Sequence, residues 1–181
     1  MDIQIILKRI GNGDKPAFAL VVQHFQQPLF AYLGRMGLSQ GVAEEIAQET
    51  FLRAWKCLHT YDPARAEFST WLFTIARNLA FHELGRAAGK REVSGNEFLP
   101  DVASEGDPPA DAARQTQLRE KLLDALRALP VADRSALALA YFQELDLKAI
   151  ARIEGCSTGA VKVRLHRAKQ RLRQLLEEYH E

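Results

Sequence analysis

Cysteine is scarce in this chain, with Cys57 and Cys156 far apart and in no C-x-x-C pair. That spacing offers neither a disulfide framework nor the ligands of a structural zinc site, and it fits a reducing compartment. No stretch approaches the ~18 consecutive apolar residues of a membrane span, and the opening MDIQIILKRIGNGD is not patterned as a signal peptide. From these absences we expect a soluble, bacterial-type cytoplasmic protein. No glycine-rich phosphate loop and no metal-ligand cluster can be found. His24, His59, His82, His166 and His180 sit beside no nucleophile at useful spacing. An enzyme is therefore not expected, nor a cofactor or a metal. Strand patterns are almost missing too. Apolar residues recur with the 3.6-residue period, so an all-α fold is expected.

Net charge is also small, at +1 from 24 Lys and Arg against 23 Asp and Glu. Taken whole, that argues against a nucleic-acid partner. Taken in parts, it does not. Residues 1–92 carry 11 bases and 9 acids, residues 93–117 carry 1 and 5, and residues 118–181 carry 12 and 9. An acidic middle hides two mildly basic ends.

The most organised stretch is 146–173, DLKAIARIEGCSTGAVKVRLHRAKQRLR. Asp146 is placed to cap a short helix whose Leu147, Ile150 and Ala151 share an apolar face. Gly155 supplies the stop, because the residue past a helix end often needs positive φ. Cys156 fills a small apolar slot in the turn. Ser157 caps a second helix with Val161, Leu165, Ala168, Leu172 and Leu175 as its inner stripe. Helix, tight turn and helix make a helix-turn-helix. Gly159, Lys162, Val163, His166, Arg167 and Gln170 point outward from the second helix, and six Lys or Arg with no acid lie between Lys162 and Arg173. Such a helix suits the DNA major groove, its first turn meeting base edges while later cations hold phosphates. A solvated basic helix in a helical hairpin would show the same pattern.

Two further stretches look specialised. In SQGVAEEIAQETFLRAWKCLH (39–59), Val42, Ala43, Ile46, Ala47, Thr50, Ala54 and Leu58 form an inner stripe. Glu45, Gln48, Glu49 and Leu52 fall on a different face. It is either a solvated face with acids near the helix start or a docking face for a basic partner. In FSTWLFTIARNLAFHELGRAAGKR (68–91), Phe68, Trp71, Phe73 and Phe81 are interleaved with Arg77, Asn78, His82 and Arg86. Aromatics beside cations can stack unpaired bases, each stack being worth about 1–3 kcal/mol. Packing into the core accounts well for Trp71 and Phe73, and less well for the Arg-Asn pair and the basic tail.

The remaining elements read as helices over 2–10, 15–36, 118–129 and 131–143, with Asp14 capping the second and Pro28 set to kink it. Leu137, Leu139, Ala140, Tyr141 and Phe142 are expected in a small C-terminal core. Residues 92–117, with two adjacent prolines and few apolar groups, are expected to be a flexible acidic linker, and the last residues, EEYHE, to fray. Both cysteines sit in apolar contexts, so buried thiols are expected rather than redox sensors.

AEEIAQETFLRAW (43–55), FSTWLFTIARN (68–78), LRALP ending at Pro130 and GAVKVRLHRA (159–168) follow one another in a specific order. In that order the chain resembles the extracytoplasmic-function (ECF) sigma factors, the small two-domain members of the sigma-70 family, over about residues 14–90 and 118–176. The resemblance implies a non-enzymatic transcription initiation factor with two small helical domains. Residues 1–91 would be the region 2 domain, 92–117 the linker and 118–181 the region 4 domain. It implies docking on a coiled-coil of the bacterial core RNA polymerase through Glu45, Gln48, Glu49 and Leu52, the face that periodicity also separates. It implies recognition and unpairing of the promoter −10 element by the loop 61–67 and the helix after it, with Tyr61, Arg65, Phe68, Trp71, Arg77, Asn78, His82 and Arg86 as candidates. The −35 element would be read as duplex by Ser157, Thr158, Lys162, Val163, Arg164, His166 and Arg167. An anti-sigma factor covering both domains and a linker threaded through polymerase channels are also implied, although a passive tether would have the same composition. His82 stands where Asp is common in the family, Gly85 where Arg is, Ala149 where Glu is and Ala160 where Thr is. These departures point to a divergent promoter preference. A repressor using only the helix-turn-helix would leave residues 43–91 without a role, and would be expected to dimerise on a palindrome.

Overall fold

A computed structural model describes residues 2–90 and 109–178. Most of the expected linker (91–108) and the expected frayed end (179–181) lie outside the described residues. Among the described residues there are eight α-helices and no strand.

The N-terminal half holds α1 (Ile3–Gly11), α2 (Phe18–Arg35), α3 (Gln40–Lys56) and α4 (Phe68–Lys90). Asp2 caps α1 by accepting the Gln4 N–H at 2.9 Å, and α1 buries Ile6 and Ile10. Contrary to the sequence expectation, Asp14 does not cap α2. A 3-10 turn at Lys15–Ala17 leads into that helix, and the Asp14 carboxylate instead binds Arg9 at 2.7 Å. Pro28 lies inside α2. On α3 the expected inner stripe is buried at Ala43, Ile46, Ala47, Thr50 and Ala54, and the Thr50 hydroxyl donates to the Ile46 carbonyl. Packing of α2 on α3, and of α3 on α4, surrounds Phe25, Leu29, Leu33, Phe68 and Leu72.

The C-terminal half holds α5 (Pro109–Arg127), α6 (Val131–Leu137), α7 (Leu147–Glu154) and α8 (Thr158–Glu178). Helix α5 begins nine residues earlier than sequence suggests, so the end of the segment read as linker is helical. Between α6 and α7 the chain forms a π-turn, Ala138–Phe142, in which the Gln143 N–H reaches the Ala138 carbonyl. The wider turn leaves Tyr141 and Phe142 exposed rather than in the expected core. Lys169 lies 5.5 Å from the Tyr141 ring and Arg35 lies 3.8 Å from the Phe142 ring.

The two halves share one continuous apolar core. Helix α2 meets α6 and the π-turn, and α4 meets α7. Polar contacts line this seam. Gln143 donates to the Pro28 carbonyl at 3.0 Å, and Arg134 donates to the Met36 carbonyl at 2.8 Å. Gly37 has φ +84, a backbone conformation that strains any side chain, and a Cβ there would also push the Arg134 guanidinium from its place 2.5 Å away. Burial pulls the Arg134 pKa below its usual range, and nearby Arg127 adds to the effect.

Candidate nucleic-acid interface

The helix-turn-helix forms as its sequence dictates. The Asp146 carboxylate accepts the Ala149 N–H at 2.7 Å, and the Ser157 hydroxyl accepts the Ala160 N–H at 3.1 Å. Gly155 is left-handed at φ 64, ψ 37. The Gly155 N–H bonds the Arg152 carbonyl and the Cys156 N–H bonds the Ala151 carbonyl, the paired bonds of a Schellman stop. Cys156 is half-buried there, against the core. Cys57, expected to be buried, is exposed because it falls just past the end of α3.

Val161, Leu165 and Ala168 bury the inner stripe of α8, which turns the other faces outward. Ser157, Thr158, Lys162, His166 and Arg167 are exposed, and Val163 keeps 50% of its surface. Gly159, Ala160, Val163, Arg164, Arg167 and Arg171 line a groove along this helix. Small residues therefore open the N-terminal turn while cations flank it. Arg164 differs from its neighbours. It is half-buried and donates to Glu154 at 3.2 Å.

The −10 candidates separate by burial. Tyr61, Phe68 and Trp71 form one cluster, with ring centroids 5.3 to 5.6 Å apart. Phe68 is 0% exposed, so it cannot stack on a base, and that expectation is corrected. Position 68 is the first residue of α4, where its ring also meets Phe25 in the core. Tyr61 and Trp71 are half-buried, and the Tyr61 hydroxyl donates to the Ala66 carbonyl at 3.2 Å, bracing the loop. Asn78 and His82 are exposed. Arg65 pairs with Asp62 at 3.4 Å and Arg86 with Glu83 at 2.6 Å. Arg77 lies 3.7 Å from the Phe81 ring and donates to Glu154 at 3.3 Å, so its guanidinium is already engaged.

On α3, Glu45, Gln48 and Leu52 are exposed, and Leu52 keeps 46% of its surface. Glu49 pairs with Arg53 one turn on. An exposed pair of this kind contributes about 0.3–0.5 kcal/mol, so a basic partner can take over the carboxylate at small cost.

The functional reading now has independent support. Residues 21–89 match the family model for Sigma-70 region 2, and residues 119–172 match that for Sigma-70, region 4. The chain is 33% identical to the ECF RNA polymerase sigma factor SigW of Bacillus subtilis (strain 168), over 97% of both chains. It is 34% identical to the ECF RNA polymerase sigma factor RpoE of Cereibacter sphaeroides, over 90% of this chain and 88% of that one. The chain belongs to the ECF sigma factors of the sigma-70 family. The fold is also that of the sigma factor RpoE in complex with the anti-sigma factor NepR from Bartonella quintana, with a TM-score of 0.69 and 24% identity over 88% of this chain and 96% of that one. This sigma factor is thus a transcription initiation factor, not an enzyme. No helix among its described residues is long and apolar enough to cross a membrane.

Sequence reasoning passed over Glu154 and Ser135, which organise this sigma factor's seam. The Glu154 side chain is fully buried. It accepts from Arg77 of α4, from Arg164 of α8 and from the Ser135 hydroxyl. With Ser135 donating to Glu154, the Tyr32 phenol is left to donate to Ser135 at 2.8 Å. Burial raises the Tyr32 pKa above its ordinary value, against a smaller lowering by the Ser135 hydrogen bond. One signal was available in the sequence. Glu154 is an acid at a helix C-terminus, where the helix dipole favours a cation.

Proposed function

We propose that this sigma factor binds bacterial core RNA polymerase through Glu45, Gln48, Glu49 and Leu52 of α3, and brings it to promoters carrying two elements. The N-terminal half, residues 1–91, takes the unpaired −10 strand. The loop 61–67, Trp71, Asn78 and His82 are its accessible groups, and Phe68 supports them from the core. The C-terminal half, residues 118–181, reads the −35 duplex with the first turns of α8. Residues 92–117 join the two. The protein works in the cytoplasm and is held in check by an anti-sigma factor, as the NepR complex of the Bartonella quintana sigma factor illustrates for that protein.

The observation that carries this reading is the outer face of α8. It presents five exposed Lys or Arg and no acid between Lys162 and Arg173, the sixth cation, Arg164, being turned to Glu154, behind a left-handed stop that exposes its first turn. Such a face is suited to phosphates on both sides of a groove. The acidic, leucine-bearing face of α3 is a separate surface, so polymerase and DNA need not compete. Size-exclusion chromatography of the chain with core polymerase tests the division. A one-to-one complex is expected, and Leu52→Asp should abolish it while leaving binding of the isolated chain to −35 duplex unchanged. A Leu52→Asp protein that still joined core polymerase would remove α3 as the docking face.

A further inference from the structure

A cavity of about 660 Å³ opens between α1 and the chain from Trp55 to Pro63. That volume is in the range of small-molecule sites. Its walls are Leu7 and Ile10 of α1, with Trp55, Leu58 and Pro63 opposite. Leu7, Trp55 and Leu58 are only half-buried, so the core leaves part of their apolar surface free. Lys8, Lys15 and His59 stand exposed at the rim, and among the described residues no acid lines the cavity. The acids nearby are already engaged. Asp2 accepts the Gln4 N–H, Asp14 pairs with Arg9, and Asp62 pairs with Arg65. Among the described residues no carboxylate pairs with Lys8 or Lys15. An apolar recess under two unpaired ammonium groups is complementary to an apolar body with an anionic head.

We propose that this cavity binds a single-chain anionic amphiphile of the fatty-acid class. Its carboxylate meets Lys8 and Lys15, and its chain lies against Leu7, Trp55 and Leu58. Two other occupants fit less well. A nucleobase needs polar groups to read its edge, but Gln4 and Tyr61 are spent on each other, Gln4 Nε2 donating to the Tyr61 hydroxyl at 3.1 Å. A membrane surface needs apolar groups that stand out from the protein. Here they are recessed, and among the described residues of α1 Ile5 is the one large apolar side chain that is exposed. The site also has a route to function. Tyr61 and Pro63 lie in the loop assigned above to the −10 element, and the Gln4 bond ties that loop to α1. An occupant therefore touches the −10 loop directly. That consequence rests on the assignment of the loop, whereas binding itself does not.

Isothermal titration of the full chain with sodium dodecanoate, kept below its micelle concentration, tests the site. One molecule is expected per chain, and acetate, the head group alone, should not bind. The Trp55 indole N–H resonance should shift in step with the heat. Lys8→Glu combined with Lys15→Glu should weaken dodecanoate binding about tenfold, because two attractive charges become repulsive. Both side chains are exposed, so the double variant should keep the parental helical content. If it loses helix, Lys8→Gln and Lys15→Gln carry the same comparison, each with a smaller loss expected. Absence of dodecanoate binding would overturn the proposal, as would equal affinity in the parent and the folded variants. Sedimentation with vesicles of phosphatidylcholine and phosphatidylglycerol, without binding of free dodecanoate, would also overturn it and mark the surface as membrane-facing. The titration uses the chain alone, so its outcome is independent of whether the chain directs transcription.

Discussion

Phe68 and Trp71 sit three residues apart on α4 with their rings 5.5 Å apart, yet only Trp71 reaches the surface. Truncating them should therefore do different things. Phe68→Ala removes a fully buried ring and should lower stability by about 3–5 kcal/mol in urea unfolding. Trp71→Ala should lower it less, and should reduce promoter opening measured by permanganate reactivity of the −10 thymines. Equal stability losses in the two variants would mean that Trp71 is only a core residue. Tyr32 gives a pH signature. Below its ordinary pKa of 10.0 the folded and unfolded chains both hold the phenol proton, and its contribution to stability is intact. Above that value the unfolded chain releases the proton while the folded chain retains it, so stability falls as pH rises. Urea midpoints between about pH 9 and 11 should fall less steeply in Tyr32→Phe than in the parent. Parallel curves would show that the buried phenol does not titrate with unfolding. Burial of this kind was only partly legible from sequence. The sequence reading sends Trp71 and Phe73 towards the core and leaves Phe68 among the base-stacking candidates, because what covers Phe68 is Phe25 arriving from α2.

Helix α8 and the turn before it were legible because local chemistry decides them. Asp146 and Ser157 find backbone N–H groups three residues on, Gly155 takes the left-handed φ, and the stripe through Val161, Leu165 and Ala168 fixes the inner face. The π-turn at Ala138–Phe142 was not legible. Its apolar residues read as one more helical stripe, whereas the extra residue in the turn puts Tyr141 and Phe142 outside. The start of α5 was missed for a similar reason, since paired prolines read as linker although Pro109 is tolerated in a first helical turn. The legible part of α8 carries a quantitative prediction. Lys162→Ala and Arg167→Ala should each weaken −35 binding and reduce the slope of log affinity against log salt by about 1 if the residue holds a phosphate. A slope unchanged by either substitution would take that residue off the DNA.

The whole molecule joins the halves that pattern and composition set apart in an arrangement that neither could reveal. Glu154 and Arg77 are 77 positions apart in the chain, and their meeting depends on how α7 packs against α4. The order of motifs was enough to indicate the family. The contact that brings the two candidate DNA-binding halves together needed coordinates. The central claim is that this chain directs core polymerase to promoters, and it is tested most directly by reconstituted transcription. Purified chain and bacterial core polymerase are combined with a library of genomic fragments, and transcript starts are sequenced. Discrete starts sharing two upstream elements, at positions matching −10 and −35, are the expected result. An absence of specific starts, together with tight duplex binding by a dimer of the chain alone, would contradict the account and mark the protein as a repressor.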